Sequence, residues 1–131
     1  RRIIECEAAA LAAPLIDEAA LAECAACIDE MVEGAAVADV DRFVDADLRF
    51  HAVILRASGN LFLAVLLAPL TEVLAERRTQ TSRAPEIQQH AIAEHRGVLE
   101  ALRTGDPDAA RAAMDQHLQQ TLDDFRRYVA G

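Results

Sequence analysis

Four residues of this 131-residue chain carry chemistry that their apolar surroundings do not call for: Asp47, His51, His95 and His117. Asp47 and His51 stand four apart, and at about 100° per residue two such positions share one face of a helix. Val44, Leu48, Ile54 and Leu55 fall at helical spacings from the pair, which places it on or beside a stripe that points inward. His95 stands in the same way among Ile92, Leu99 and Leu102, and His117 among Met114, Leu118 and Leu122. His90 is an internal control, since it lies about 140° around the helix from His95, on the polar side. Burying unpaired polar groups costs a few kcal/mol each, so an inward acid and three inward imidazoles need partners. Neutral imidazoles and one carboxylate suit Zn²⁺, Ni²⁺ and similar ions. The plainer alternative is that each histidine is satisfied by its own core hydrogen bond, with Asp47 and His51 an ordinary pair worth roughly 0.2–0.5 kcal/mol. Residue types and spacing leave both readings open.

The elements that must position these residues read as helices. The chain is 53% hydrophobic with only 5 Gly and 4 Pro, and its length suits one domain over residues 1–131. Pro14 ends a first helix over 1–13, and Gly34 closes a second over 14–34. Asp39 caps a third running to Ala57, which Ser58 and Gly59 terminate. Asn60 caps a fourth over 61–78, kinked at Pro69, in which Leu66, Leu70, Val73 and Arg77 continue one stripe and carry Arg77 inward. A polar stretch over 79–85 leads to a fifth helix over 86–103. Asp106 and Pro107 then open a sixth over 107–129. Six helices joined by short loops predict an all-α antiparallel bundle, with a central cavity for a metal or ligand.

Composition excludes several functions. The formal net charge is −9 and no segment gathers the basic residues, so the chain lacks the footprint that nucleic-acid phosphates require. The apolar stretch over 61–70 is about half a membrane span. Three cysteines, Cys6, Cys24 and Cys27, are an odd number for a disulfide framework and point to a reducing compartment, by default the cytoplasm. Cys24 and Cys27 sit mid-helix with no second pair, which reads as packing. The sequence opens on Arg1, already in helical pattern, as expected for a piece of a longer protein.

A family resemblance rests on Asp47-x-x-x-His51, Ser58-Gly59-Asn60, Glu94-His95-x-x-x-Leu99-x-Ala101 and the run from Gly105-Asp106-Pro107 through Met114-x-x-His117-Leu118. With the opening Arg1-x-x-Ile4-Glu5-x-x-Ala8-Ala9 pattern, the chain resembles the FCD domain over nearly its whole length. That domain is the C-terminal, effector-binding part of the FadR subfamily of GntR transcription regulators. The resemblance implies a helical bundle whose cavity holds a divalent metal on one Asp and three His, here Asp47, His51, His95 and His117. Six helices would be similar to the VanR-like variant of the domain. It also implies a homodimer, and DNA contact only through a preceding winged helix-turn-helix domain that these residues do not include.

Four ligands leave open positions on an ion that accepts five or six donors, and one carboxylate leaves positive charge unbalanced on a divalent ion. The expected partner is therefore a small carboxylate effector. Zinc is the first expectation for the metal, with nickel or manganese as alternatives. Arg1, Arg77 and Asn60 are the candidate effector contacts, Arg1 at a matching family position and Arg77 on its stripe. A metal-dependent hydrolase on a helical bundle is the competing reading; it needs a general base near the open positions, and Glu94 points about 100° away from His95.

Overall fold

The computed structural model describes residues 1–130. It contains seven α-helices: α1 (Arg2–Ala12), α2 (Glu18–Ala36), α3 (Val40–Ala57), α4 (Leu61–Leu67), α5 (Thr71–Thr81), α6 (Pro85–Arg103) and α7 (Pro107–Tyr128). Connections of three residues join α2 to α3 and α6 to α7. Links that short fold two long helices back on each other. The most extensive packing is of α2 on α3 and of α7 on both α1 and α6, with α1 also against α3. Ala8, Ala9 and Ala12 are fully buried, so α1 approaches its neighbours with almost no side chain between. Phe43, Phe50, Met31, Ile54, Leu102 and Met114 fill the space where α2, α3, α6 and α7 meet. No helix among the described residues is long and apolar enough to cross a membrane.

Side-chain caps set where the helices begin. Asp39 accepts from Arg42 N at 3.0 Å and Asp106 from Asp108 N at 2.9 Å, as the sequence predicts. The second helix starts at Glu18 and not at Pro14, because Asp17 caps it by accepting from Ala20 N at 2.8 Å. Gly34 lies inside α2. An added Cβ there would stand 3.0 Å from Phe43 N and 3.2 Å from Asp39 O, so this glycine permits the close crossing of α2 and α3. The turn is made by Ala38, at φ 55°.

The expected kink at Pro69 is a break. Residues Ala68–Leu70 form one 3-10 turn, and the predicted helix over 61–78 becomes α4 and α5 at an angle set by that turn. A bundle of about six helices thus counts as seven when the two pieces are taken separately. Leu66, Leu70 and Val73, which the continuous pattern directs inward, are exposed, and Leu67 and Arg78 are buried instead.

Candidate metal centre

Asp47 and His51 come from the middle of α3, His95 from α6 and His117 from α7, and all four are buried. One ligating atom from each lies within 4.8 Å of the other three. His51 Nε2 is 3.2 Å from His117 Nε2 and 3.6 Å from Asp47 Oδ1, while His95 Nε2 stands 2.7 Å from that same oxygen. Three ring nitrogens and one carboxylate oxygen thus converge.

The far side of the His95 ring settles its tautomer. Nδ1 is 2.6 Å from the carbonyl oxygen of Ala91, which can only accept, so Nδ1 carries the proton. Burial holds the His95 pKa below its ordinary value, more than its contact with Asp47 raises it, and the ring is neutral. Its Nε2 therefore presents a lone pair to a carboxylate oxygen 2.7 Å away, and neither atom has a hydrogen-bond partner. Two facing acceptors repel, and a cation at the convergence point would turn that repulsion into coordination. His117 is likewise kept neutral by burial and by the positive charge of its neighbours. Neutral imidazoles are what a metal needs.

Two further side chains hold the cluster from outside. Glu5 of α1 is buried, with Oε1 2.6 Å from His51 Nδ1, a charge contact out of line for a hydrogen bond; its other oxygen accepts from Arg1 Nε at 2.6 Å. Burial alone would raise the Glu5 carboxyl pKa, but the facing His51 and Arg1 bring it well below the carboxylate range. Burial likewise works to lower the His51 pKa, and Glu5 and Asp47 together raise it. Arg78 of α5 places Nε 2.9 Å from Asp47 Oδ2, donates from Nη1 to Thr121 Oγ1 at 3.2 Å, and brings Nη2 within 3.5 Å of His117 Nε2. The Asp47 pKa, pushed up by burial, is drawn down more strongly by Arg78 and the two histidines. Asp47 thus keeps Oδ1 toward the rings and Oδ2 on Arg78, an arrangement that orients a ligating carboxylate.

A cleft of about 500 Å³ lies on the far side of Arg78 from the cluster; none of the four converging residues lines it. Arg1 and Arg77 line it with Arg78, along with Leu74, Leu118 and Phe125, and no acidic side chain faces it. Arg77 does not reach inward; it is exposed at the mouth with its guanidinium 4.8 Å from the Phe125 ring centroid, on the same outward stripe as Leu66, Leu70 and Val73. Asn60 is the N-cap of α4, accepting from Phe62 N at 3.1 Å, and is not part of the cleft lining. His90 stays outside the cluster and pairs with Asp124 at 3.0 Å. Glu94, the base that a hydrolase would need, is turned to Gln116. Burial raises the thiol pKa of Cys24 to about 12, as befits a packing residue.

Sequence reasoning missed Glu5 and Arg78. Arg78 could have been found from its place four residues after Leu74 and eleven after Leu67, on the inward side of the broken helix. Glu5 lies one turn from Arg1 among alanines, and only its isolation on an apolar face marks it.

Comparison with known proteins identifies the family. The FCD domain profile covers residues 1–120, which include all four converging residues as well as Glu5 and Arg78. The chain belongs to the FCD domain family. This FCD domain is similar to the HTH-type transcriptional repressor NanR of Escherichia coli K12, 34% identical over 80 residues that make up 58% of this chain and 30% of NanR. NanR of Shigella flexneri gives the same figures. A third relative, named in Escherichia coli K12 as an L-lactate dehydrogenase operon regulatory protein, is 31% identical over 94 residues, 69% of this chain and 36% of its own. The FCD domain thus spans about a third of the length of the curated relatives it matches. Those relatives are named as transcription regulators and none as an enzyme.

Proposed function

We propose that this FCD domain senses a small carboxylate effector for a bacterial transcription regulator, holding a divalent metal on Asp47, His51, His95 and His117. The observation that carries the reading is the convergence of three imidazole nitrogens and one carboxylate oxygen, all within 4.8 Å of one another, with His95 Nε2 2.7 Å from Asp47 Oδ1. A divalent ion bound there supplies open coordination positions and positive charge for an anion. Zinc fits the donor set first, and nickel or manganese also suit it.

The protein's own groups favour a carboxylate. Arg78 ties the Asp47 carboxylate to the cleft, and Arg1 and Arg77 add positive charge to a wall that has no acid. Planar guanidinium groups match a carboxylate in two-point contacts. The relative named for an L-lactate dehydrogenase operon agrees in chemistry, since lactate is a small hydroxy acid. In the whole regulator, effector binding would bias the bundle between two packings and so reposition a preceding DNA-binding domain, by no more than the effector's differential affinity for the two. A homodimer and a cytoplasmic location belong to the same proposal.

Metal analysis of protein purified without added metal tests the site. About one equivalent, or uptake to that level on titration with Zn²⁺ or Ni²⁺, is expected, with loss in His95→Ala. Less than about a tenth of an equivalent with no uptake would remove the reading. Stabilisation by a panel of small carboxylic acids, present only in the metal-loaded protein, tests the effector class.

A further inference from the structure

The cleft beyond Arg78 has walls that the metal centre does not use. Leu118, Leu122 and Phe125 stand at i, i+4 and i+7 on α7, one apolar strip about 10 Å long, and Leu74 of α5 lines the same cleft. At about 500 Å³ the cleft falls within the ~300–1,000 Å³ of small-molecule sites, and a three-carbon acid would leave most of the strip uncovered. The buried charge in its lining is Arg78, 6% exposed. Of the five N–H groups of that guanidinium, Nε faces Asp47, Nη1 donates to Thr121 and Nη2 approaches His117, which leaves two without a partner among the described residues. Arg77 lies at the mouth beside the strip, its guanidinium 4.8 Å from the Phe125 ring centroid. The other arginines of the lining are engaged, Arg1 with Glu5 at 2.6 Å and Arg2 with Asp115 at 2.5 Å.

We propose that this cleft is a second ligand site, taking an amphipathic monocarboxylate whose carboxylate meets Arg78 and Arg77 and whose aryl or branched alkyl body lies along the apolar strip. The site goes beyond the metal-bound effector: the four converging residues take no part in it, and it fills with or without metal. Charge and shape select the ligand. A neutral hydrophobe of the same shape would strip water from the free Arg78 N–H groups and leave them unpaired. A dicarboxylate would carry its second charge onto the apolar strip, since Arg1 and Arg2 already hold carboxylates. A nucleic-acid segment is repelled by a chain of 22 acidic against 13 basic residues. A monocarboxylate with an apolar body gives the guanidinium a two-point partner and covers the strip.

Isothermal titration calorimetry of phenylbutyrate into the intact 131-residue chain, once with chelator and once loaded with Zn²⁺, tests the cleft. A Kd of about 1 mM or below is expected in both states. With chelator, phenylbutyramide, which lacks the charge, and lactate, which lacks the body, should each bind at least ~10-fold more weakly. Leu122→Asp sets a carboxylate on the strip at an exposed position and should weaken phenylbutyrate at least ~10-fold, with helical circular dichroism and metal uptake unchanged. Arg77→Glu repeats the test at the exposed mouth should Leu122→Asp lose helicity. No binding at ~5 mM, binding only in the Zn²⁺-loaded protein, equal binding of phenylbutyramide, or binding that survives both variants overturns the proposal. The metal centre is judged separately in the same samples. Uptake of Zn²⁺ without phenylbutyrate binding removes the cleft site alone, and phenylbutyrate binding to protein that takes up no Zn²⁺ removes the metal centre alone.

Discussion

Replacing Asp47 by Asn preserves the shape of the side chain and removes its charge where contacts with His51, His95 and Arg78 meet. Arg78 Nε lies 2.9 Å from Oδ2, and both residues are buried, so the variant leaves a buried guanidinium without its counter-charge. Removing one partner of a buried pair costs about 3–5 kcal/mol, against a total stability of ~5–15 kcal/mol for a domain of this size. At ~3–5 °C per kcal/mol, the metal-free variant should melt roughly 10–20 °C below the wild type. A second effect adds to this in the presence of metal. An ion at 100 times its dissociation constant contributes about 2.7 kcal/mol to the wild type, and the variant forfeits most of that with its only anionic ligand. Thermal and urea unfolding followed by circular dichroism, with chelator and with Zn²⁺, separates the two contributions. Arg78→Met in the Asp47→Asn background should recover about half of the metal-free loss, because the stranded charge is gone, without restoring the Zn²⁺ response. If Asp47→Asn unfolds within about 0.5 kcal/mol of the wild type and keeps the same Zn²⁺ shift, both the buried pair and the metal site as described here are refuted.

Three other outcomes follow from the same geometry. Without metal, His95 and His117 have folded pKa values below that of a free imidazole, so their stability contribution falls as pH drops below about 6.5 and the unfolded chain takes up protons; His51 has a raised folded pKa, so its contribution is present below about 6.5 and lost as pH rises through the folded value. Metal-free stability should therefore peak near pH 6.5, which unfolding across a pH series checks, and a plateau rising continuously to pH 9 would contradict it. Glu5→Gln removes the anion at His51 Nδ1, so the His51 pKa read by NMR should fall, and metal affinity at pH 8 should drop ~10–100-fold as the ring loses its support. Gly34→Ala and Gly97→Ala should move in opposite directions. The first drives a Cβ to 3.0 Å from Phe43 N and should cost ~1–2 kcal/mol net, whereas the second meets nothing within 4 Å and should gain ~0.5–1 kcal/mol of helix propensity, both measured by urea unfolding.

The four converging residues were legible in the sequence, and the residues that hold them in place were not. Asp47, His51, His95 and His117 betray themselves because each breaks an apolar stripe on a long, continuous helix, where 3.6-residue periodicity holds its phase over the whole element. His90 was excluded by the same phase, and the structure keeps it outside the cluster. The choice of stripe is what failed on the helix broken at Pro69. Leu66, Leu70, Val73 and Arg77 lie on one line, Leu67 and Arg78, about 20° apart at 100° per residue, on another, and the bundle buries the second. Every residue of α4 is apolar, so residue type alone does not tell which line turns inward, nor which of two adjacent arginines meets Asp47. Glu5 was hidden for a different reason. An acid in the first turn of a helix is favoured by the helix dipole wherever it points, so its type carries no signal until the fold brings His51 against it. Local rules therefore located the groups that would touch a metal, while the groups that orient them depend on how separate helices meet. The exposed stripe of Leu66, Leu70 and Val73 shows the same limit: its exposure on α4 and α5 emerges only once the bundle is built.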